Sequence, residues 1–196
     1  GRSVILQAHE PDIAAAINTH HRNPYLADID LDPAIEATAD LGAAINGADA
    51  IILVAPSQFL RPVTKAMAGQ GKVTAPVLIC AKGIENETFQ RPSEIIGEVL
   101  GSRAVVSLSG PSHAEEITRR LPASVVAASG DLALARRVQQ TFTTDRFRVY
   151  TNIDIIGVEL AAALKNVIAI AAGICDGLGY GDNAKSALMT RGLVEM

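Results

Sequence analysis

The sequence predicts an α/β fold, a mostly parallel sheet with helices on both faces, followed by the start of an all-helical segment. Three observations carry this. Short β-branched runs alternate with Ala-rich helical patterns, the arrangement that builds parallel strands joined by helical crossovers. From about Thr151 the strand pattern stops and only helical periodicity continues. At 196 residues and 48% hydrophobic, the chain can bury the core of one large domain, or of one domain and part of another.

Strands are expected where β-branched and aliphatic residues run together, and helices where Ala-rich amphipathic pattern fills the intervals. In chain order this gives a strand over 3–8, a helix over 11–18 opened by Pro11, a strand over 35–38 and a helix over 40–46. A strand over 50–54 then precedes a helix over 58–68, and a strand over 77–81 a helix over 92–100 that starts at Pro92. Next come a strand over 105–109, a helix over 112–120, a strand over 124–128, a helix over 132–142 and a last strand over 147–150. The remaining helical pattern breaks at 177–181 and restarts after Asn183. The expected division is a sheet domain over 1–150 and the beginning of a helical domain over 151–196.

Composition removes several function classes. A net charge of −4 with scattered basic residues gives no electrostatic footprint for nucleic acid. The apolar run IIGVELAAALKNVIAIAAGIC is long enough to span a bilayer. It nevertheless contains Glu159, Lys165 and Asn166 and lacks a positively charged flank, so it reads as a core helix and no membrane span is expected. Cys80 and Cys175 lie in apolar runs, as reduced interior residues of a cytoplasmic protein do. His20, His21 and His113 show no metal-ligand spacing and read as surface-loop residues, so no metal is expected.

Within that core helix the Lys165-Asn166 pair is the feature to explain. An amine held among Ala, Val and Ile has its proton affinity lowered by desolvation, which makes it a proton donor and acceptor near neutral pH. At helical spacing Lys165 neighbours Val158, Ala161, Ala162, Ala169 and Ala172, a strip of small residues, while Leu160, Leu164, Val167, Ile168 and Ile174 predict burial on most other sides. The plainer alternative is a lysine at the helix rim, its stem on apolar surface and its ammonium in water.

Ligands of open parallel sheets bind at the carboxyl ends of the strands. The segments expected there are His9-Glu10-Pro11-Asp12, Pro56-Ser57, Lys82-Gly83 and Gly110-Pro111-Ser112-His113. Ser112 and Glu115 form an S-x-x-E capping box that predicts a helix start able to hold a phosphate or carboxylate, or else an ordinary strand-to-helix turn. Lys82 is placed to reach across the rim, and equally to be a solvated loop lysine. His9 ends the first strand, where a dinucleotide fold reads the adenosine ribose; the lack of an acid at that position leans towards a 2′-phosphorylated cofactor. No G-x-G-x-x-G loop precedes Ser3, although such folds open with one.

In order, VILQAHEPD, NPYLADI, ADAIILVAPSQ, ICAKGIE, SLSGPSHAEEI and the final fifty residues from FRVYTNIDIIGVELAAALKN to MTRGLVEM resemble the bacterial NAD(P)-dependent sn-glycerol-3-phosphate dehydrogenases. The resemblance implies a Rossmann-like doubly wound domain followed by a helical domain, with the active site between them. It implies hydride transfer between NADPH or NADH and a small phosphorylated three-carbon substrate, in the service of phospholipid precursor supply. Lys165 resembles the family's catalytic lysine, Asn166 a residue that orients it, and Lys82 a second lysine contacting substrate and cofactor. Gly110 and Ser112 resemble substrate-binding positions; His9, Tyr25, Pro56 and Ala114 resemble cofactor-binding positions.

Against the family pattern, the first strand with its glycine-rich loop is missing ahead of Ser3, and so is the distal helical segment with the Arg-Asn pair that grips the substrate phosphate. The chain therefore resembles the middle of such an enzyme, and activity of the chain by itself is in doubt. An exposed helical face left in this way favours association, with a homodimer among the expectations. Two rival readings stay open. One is another lysine-dependent NAD(P) hydroxyacid dehydrogenase, although those resemble K-x-x-N and position 168 here is Ile. The other is a non-catalytic nucleotide-binding fragment.

Overall fold

The computed structural model describes residues 3–26, 28–101 and 104–196. Strand β1 (Val4–Gln7) leads through α1 (Pro11–His20) to β2 (Ile35–Thr38), and α2 (Leu41–Ile45) leads to β3 (Ile51–Leu53). A 3-10 turn (Ser57–Phe59) runs into α3 (Leu60–Gly69), followed by β4 (Val77–Ile79), α4 (Pro92–Leu100), β5 (Val105–Ser109), α5 (Ala114–Thr118), β6 (Ala123–Ala128), α6 (Leu132–Phe142) and β7 (Phe147–Asn152). Two helices complete the chain, α7 (Ile155–Gly177) and α8 (Gly181–Glu195).

Local chemistry sets the helix ends. Pro11 and Pro92 stand in the first turns of α1 and α4, where a missing N–H costs nothing and φ is already helical. Asp131 caps α6 by accepting from the N–H groups of Ala133 and Leu134, and Asp154 caps α7 by accepting from Gly157 N–H. Helix α4 stops at Gly101, whose φ of 63° is the left-handed turn that glycine tolerates.

The sheet is in two pieces. β1 and β2 form a parallel pair, and β3-β4-β5-β6-β7 form a five-stranded sheet that is parallel except between β5 and β6. In the register Ile51↔Val77↔Val105, alternate residues of β4 go to opposite faces. Val77 and Ile79 join Ile51, Leu53 and Val105 under Leu60 and Met67 of α3 and Ile95 and Ile96 of α4. Leu78 faces the other way, with Val106, Val125, Ala127 and Val149 under Leu134 and Val138 of α6. Burial of each such aliphatic side chain stabilises the fold by roughly 1.5–3 kcal/mol, so this two-sided packing fixes the sheet on which the loops stand. A smaller cluster, Ala8, Ile13, Ala14, Ile17 and Ala37, seats α1 on the β1-β2 pair.

Several expectations need correction. β7 continues to Asn152 because it stays paired with β6 through Ala128↔Asn152. α8 begins at Gly181, whose φ of 79° makes the turn out of α7 two residues ahead of Asn183. The largest difference is α7, expected to be buried on most sides. Among its residues only Glu159 and Cys175 are buried, and Val167, Ile170 and Ile174 are 62%, 66% and 57% exposed. The reason is geometric: α7 packs on β5, β6 and α8, and these neighbours cover only part of its circumference. α8 approaches α7 at Gly192, where a Cβ would stand 2.9 Å from Ile168 Cγ1. By length and composition α7 could cross a membrane, with a mean hydropathy of 1.9, yet its Glu159 is bonded into the protein.

Candidate active site

β3, β4 and β5 run parallel, so the loops after them meet at one edge of the sheet. Gln58 stitches the first two of these loops together. Its Nε2 donates to Ile84 O at 2.8 Å, and its Oε1 accepts from Asn86 N–H at 3.0 Å. Gly83, with φ 132°, lies so close to the first loop that a Cβ would stand 2.6 Å from Ser57 Oγ. From the outer side, Arg61 of α3 binds Glu85 at 2.9 Å and Glu98 at 2.8 Å, and also donates to Gln90. The Arg61 guanidinium holds the Glu85 carboxyl below the usual carboxylate range.

This frame presents Lys82. Its Nζ donates to Ser112 Oγ at 3.4 Å, and Ser112 Oγ in turn donates to Gly110 O at 3.2 Å. Three of the predicted substrate-contacting residues are thus joined in one chain of hydrogen bonds across two loops. Gly110 has φ 150°, and a Cβ there would meet Ser124 O at 2.7 Å and Val125 Cα at 2.8 Å. Two residues before Lys82, burial pushes the Cys80 thiol up to about 11, with the Lys82 charge opposing it, so Cys80 is no nucleophile at neutral pH.

The expected capping box does not form. Helix α5 starts at Ala114 with His113 at its N-cap and no side-chain cap, because the Ser112 hydroxyl is engaged by Lys82 and Gly110. With five residues, α5 also falls short of the predicted 112–120, and the anion-holding helix end inferred from the motif is withdrawn. Ala114 is exposed at the first position of α5, and Pro56 is exposed just before the 3-10 turn.

Lys165 and Asn166 form a pair of their own: Lys165 Nζ donates to Asn166 Oδ1 at 2.7 Å. The expectation of a desolvated amine is corrected, since Lys165 is exposed. Its stem lines an apolar groove of about 220 Å³ with Ile168, Ala169 and Ala172 of α7 and Met189, Leu193 and Met196. The head reaches water, because the alanines of the strip are too short to cover it. Among the described residues no hydrogen bond joins this pair to the Lys82 cluster, and neither lysine has a carboxylate partner.

His9 and Tyr25 are both exposed beyond β1, and the Tyr25 hydroxyl donates to Glu10 Oε1 at 3.5 Å. His20 closes α1. His21 is the left-handed residue after it, with φ 52° and a buried Nδ1 that has no hydrogen-bond partner among the described residues, so the surface-loop reading does not describe its ring.

One cluster was not foreseen. Glu159 of α7, 3% exposed, accepts from Ser93 N–H at 2.9 Å, Ser93 Oγ at 2.6 Å and Arg91 Nη1 at 2.8 Å. A single carboxylate inside a long apolar run was the available signal, because a buried charge needs a partner. The sequence does not show which of seventeen cations answers it.

The family model described as NAD-dependent glycerol-3-phosphate dehydrogenase N-terminus matches residues 1–135, and the corresponding C-terminus model matches residues 154–196. The chain is 45% identical to glycerol-3-phosphate dehydrogenase (NAD(P)+) of Rhodospirillum rubrum, covering 100% of this chain and 56% of that protein. It is 48% identical to the protein of the same name from Exiguobacterium sp., covering 59% of it. The chain thus spans less than two thirds of the length of these curated relatives. Among solved structures, glycerol-3-phosphate dehydrogenase from Coxiella burnetii superposes with a TM-score of 0.90 at 34% identity, covering 100% of this chain and 60% of that one. Two family models in their proper order on either side of β7, and a shared fold along the whole described sheet, lead to one conclusion: the chain belongs to the NAD-dependent glycerol-3-phosphate dehydrogenase family.

Proposed function

We propose that the complete protein containing this chain interconverts dihydroxyacetone phosphate and sn-glycerol 3-phosphate with NADPH or NADH. The observation that carries the reading is the pair of lysines without carboxylate partners, Lys82 on the sheet rim and Lys165 on α7, each held by a neutral neighbour. Two uncompensated ammonium groups suit an anionic substrate that develops further negative charge during reaction. The rim also fits a nicotinamide cofactor in its donor chemistry, with the ammonium of Lys82, the hydroxyl of Ser112 and the open loop ends at Pro56, Gly110 and Ala114. His9 and Tyr25 would hold the adenosine side.

When bound, the nicotinamide supplies or accepts the hydride. Lys165 handles the proton. As hydride reaches C2 of the ketone, the carbonyl oxygen becomes an alkoxide, a far stronger base than an amine, and Lys165 Nζ delivers a proton to it. In the oxidative direction the same nitrogen removes the hydroxyl proton. Donating a proton does not require the ammonium to be kept dry, so the exposure of Lys165 leaves its reductive role intact; in the oxidative direction the nitrogen acts as the neutral amine. Asn166 Oδ1 accepts one N–H and turns the others towards substrate. Lys82 adds positive potential at the oxyanion, and Ser112 holds Lys82 in place.

The same reading makes 1–150 the cofactor domain, lacking its first strand, and 151–196 the beginning of the substrate domain. Support comes from β1 and β3, parallel-sheet edges that are not paired to each other and that expose Val4, Ile5 and Ile52. We further propose that the complete enzyme is a cytoplasmic homodimer that supplies phospholipid precursor. The test replaces Lys165 with Met in the complete protein. Turnover of dihydroxyacetone phosphate should fall about 10²–10⁴-fold with circular dichroism unchanged. Turnover within a few-fold of wild type sinks the assignment.

A further inference from the structure

We propose that Arg91, Ser93 and Glu159 form a positioning tether that sets where Lys165 stands relative to the Lys82–Ser112 rim. The inference rests on the reading of Lys165 as the proton carrier.

Three features point to it. First, Glu159, at 3% exposed, is the most deeply buried residue of α7 among those described. Second, the tether crosses from the sheet domain to the helical segment. Glu159 Oε1 accepts from Ser93 N–H, while Oε2 accepts from Ser93 Oγ and Arg91 Nη1, so both carboxylate oxygens are fixed by donors at the start of α4. Arg91 is itself clamped by Glu94, at 2.9 Å, and is 14% exposed. Third, α4 belongs to the same body as the rim. Ile95 and Ile96 pack into the core beneath β4, and Glu98 of α4 shares Arg61 with Glu85 of the Lys82 loop. A line of bonded groups therefore runs from the Lys82 loop through α4 to Glu159.

Lys165 lies six residues beyond Glu159, about 9 Å further along the helix axis. A tilt of α7 by about 10° at the tether would move that level of the helix by more than about 1 Å, and misplacement by about 1 Å costs on the order of 10²-fold in rate. Burial of a charge costs stability unless it is fully bonded, and this one is spent at the point where a small angular error is magnified at the amine.

The test uses the complete enzyme with dihydroxyacetone phosphate and NADPH. Glu159→Ala should lower kcat at least about tenfold, leave the KM for NADPH within about twofold, and raise the deuterium isotope effect on kcat as the displaced proton donor makes chemistry rate-limiting. Glu159→Gln keeps the shape and one acceptor oxygen but turns an amide NH2 towards Arg91, and should recover kcat only in part, to a value between those of Glu159→Ala and wild type. Should the alanine variant fail to fold, Ser93→Ala removes one donor at nearly constant volume and should lower kcat about threefold to fivefold, again without moving the KM for NADPH. An unchanged kcat in folded Glu159→Ala or in Ser93→Ala overturns the tether, as does a loss shared equally between kcat and cofactor KM. Lys165→Met run alongside separates the two claims: if it is inactive while Glu159→Ala is not, the tether alone fails, and if Lys165→Met is active, the proton-carrier reading fails first.

Discussion

Lys82 Nζ stands 3.4 Å from Ser112 Oγ, joining the loop after β4 to the loop after β5 through residues 30 apart in sequence. This is the point at which the two segments that most resembled substrate-contacting positions become one structural unit.

Ser112→Ala should lower kcat/KM in the complete protein by roughly threefold to tenfold, the order of one long, solvent-exposed hydrogen bond of about 1 kcal/mol. Lys82→Met should cost more, at least about 100-fold, because it removes a charge as well as a contact. Steady-state kinetics on both variants checks the order, and a Ser112→Ala loss as large as that of Lys82→Met would mean that Ser112 acts directly.

Gly110→Ala should destabilise the fold by about 3 kcal/mol or more. Its φ of 150° is strained for any side chain, and the added carbon would collide with Ser124 O and Val125 Cα, backbone atoms of a sheet strand that have no room to yield. Urea midpoints of the two proteins measure it, and a change below about 1 kcal/mol would show that the loop after β5 can move away from β6.

Glu159 makes stability depend on pH in a stated direction. Burial pushes its carboxyl above the ordinary range, opposed by the Ser93 donors and the Arg91 charge. A carboxyl with a raised folded value binds its proton more tightly when folded. Its contribution is therefore fully present below the unfolded value of about 4.3 and is lost as pH rises through the folded value. Glu159→Gln abolishes that titration, while Glu85 and Glu98, which are bonded to Arg61 instead, titrate alike in both proteins. The stability of the variant relative to wild type should rise between about pH 4 and about pH 7, by about 1.4 kcal/mol for each unit of difference between folded and unfolded values. Denaturant midpoints at the two pH values decide it, and a drift the other way would make Arg91 the dominant influence.

The amino-acid pattern alone determined the order of strands and helices, the parallel character of the sheet and the change to helices after β7, because each depends on local periodicity and on punctuation by proline, glycine and caps. It also singled out Lys82, Lys165 and Asn166 as candidates for the chemistry, through position after a strand and through contrast with an apolar run. Tertiary structure decided what those residues touch. Ser112 bonds to Lys82 and Gly110 in place of capping α5, Lys165 reaches water instead of lying dry, and Glu159 finds Arg91 and Ser93 some 66 to 68 residues away. The physical reason is the same in each case: a hydroxyl, an ammonium or a carboxylate takes the nearest partner that the fold supplies. Periodicity constrains which face a side chain lies on, and only the packing of distant elements decides what stands opposite.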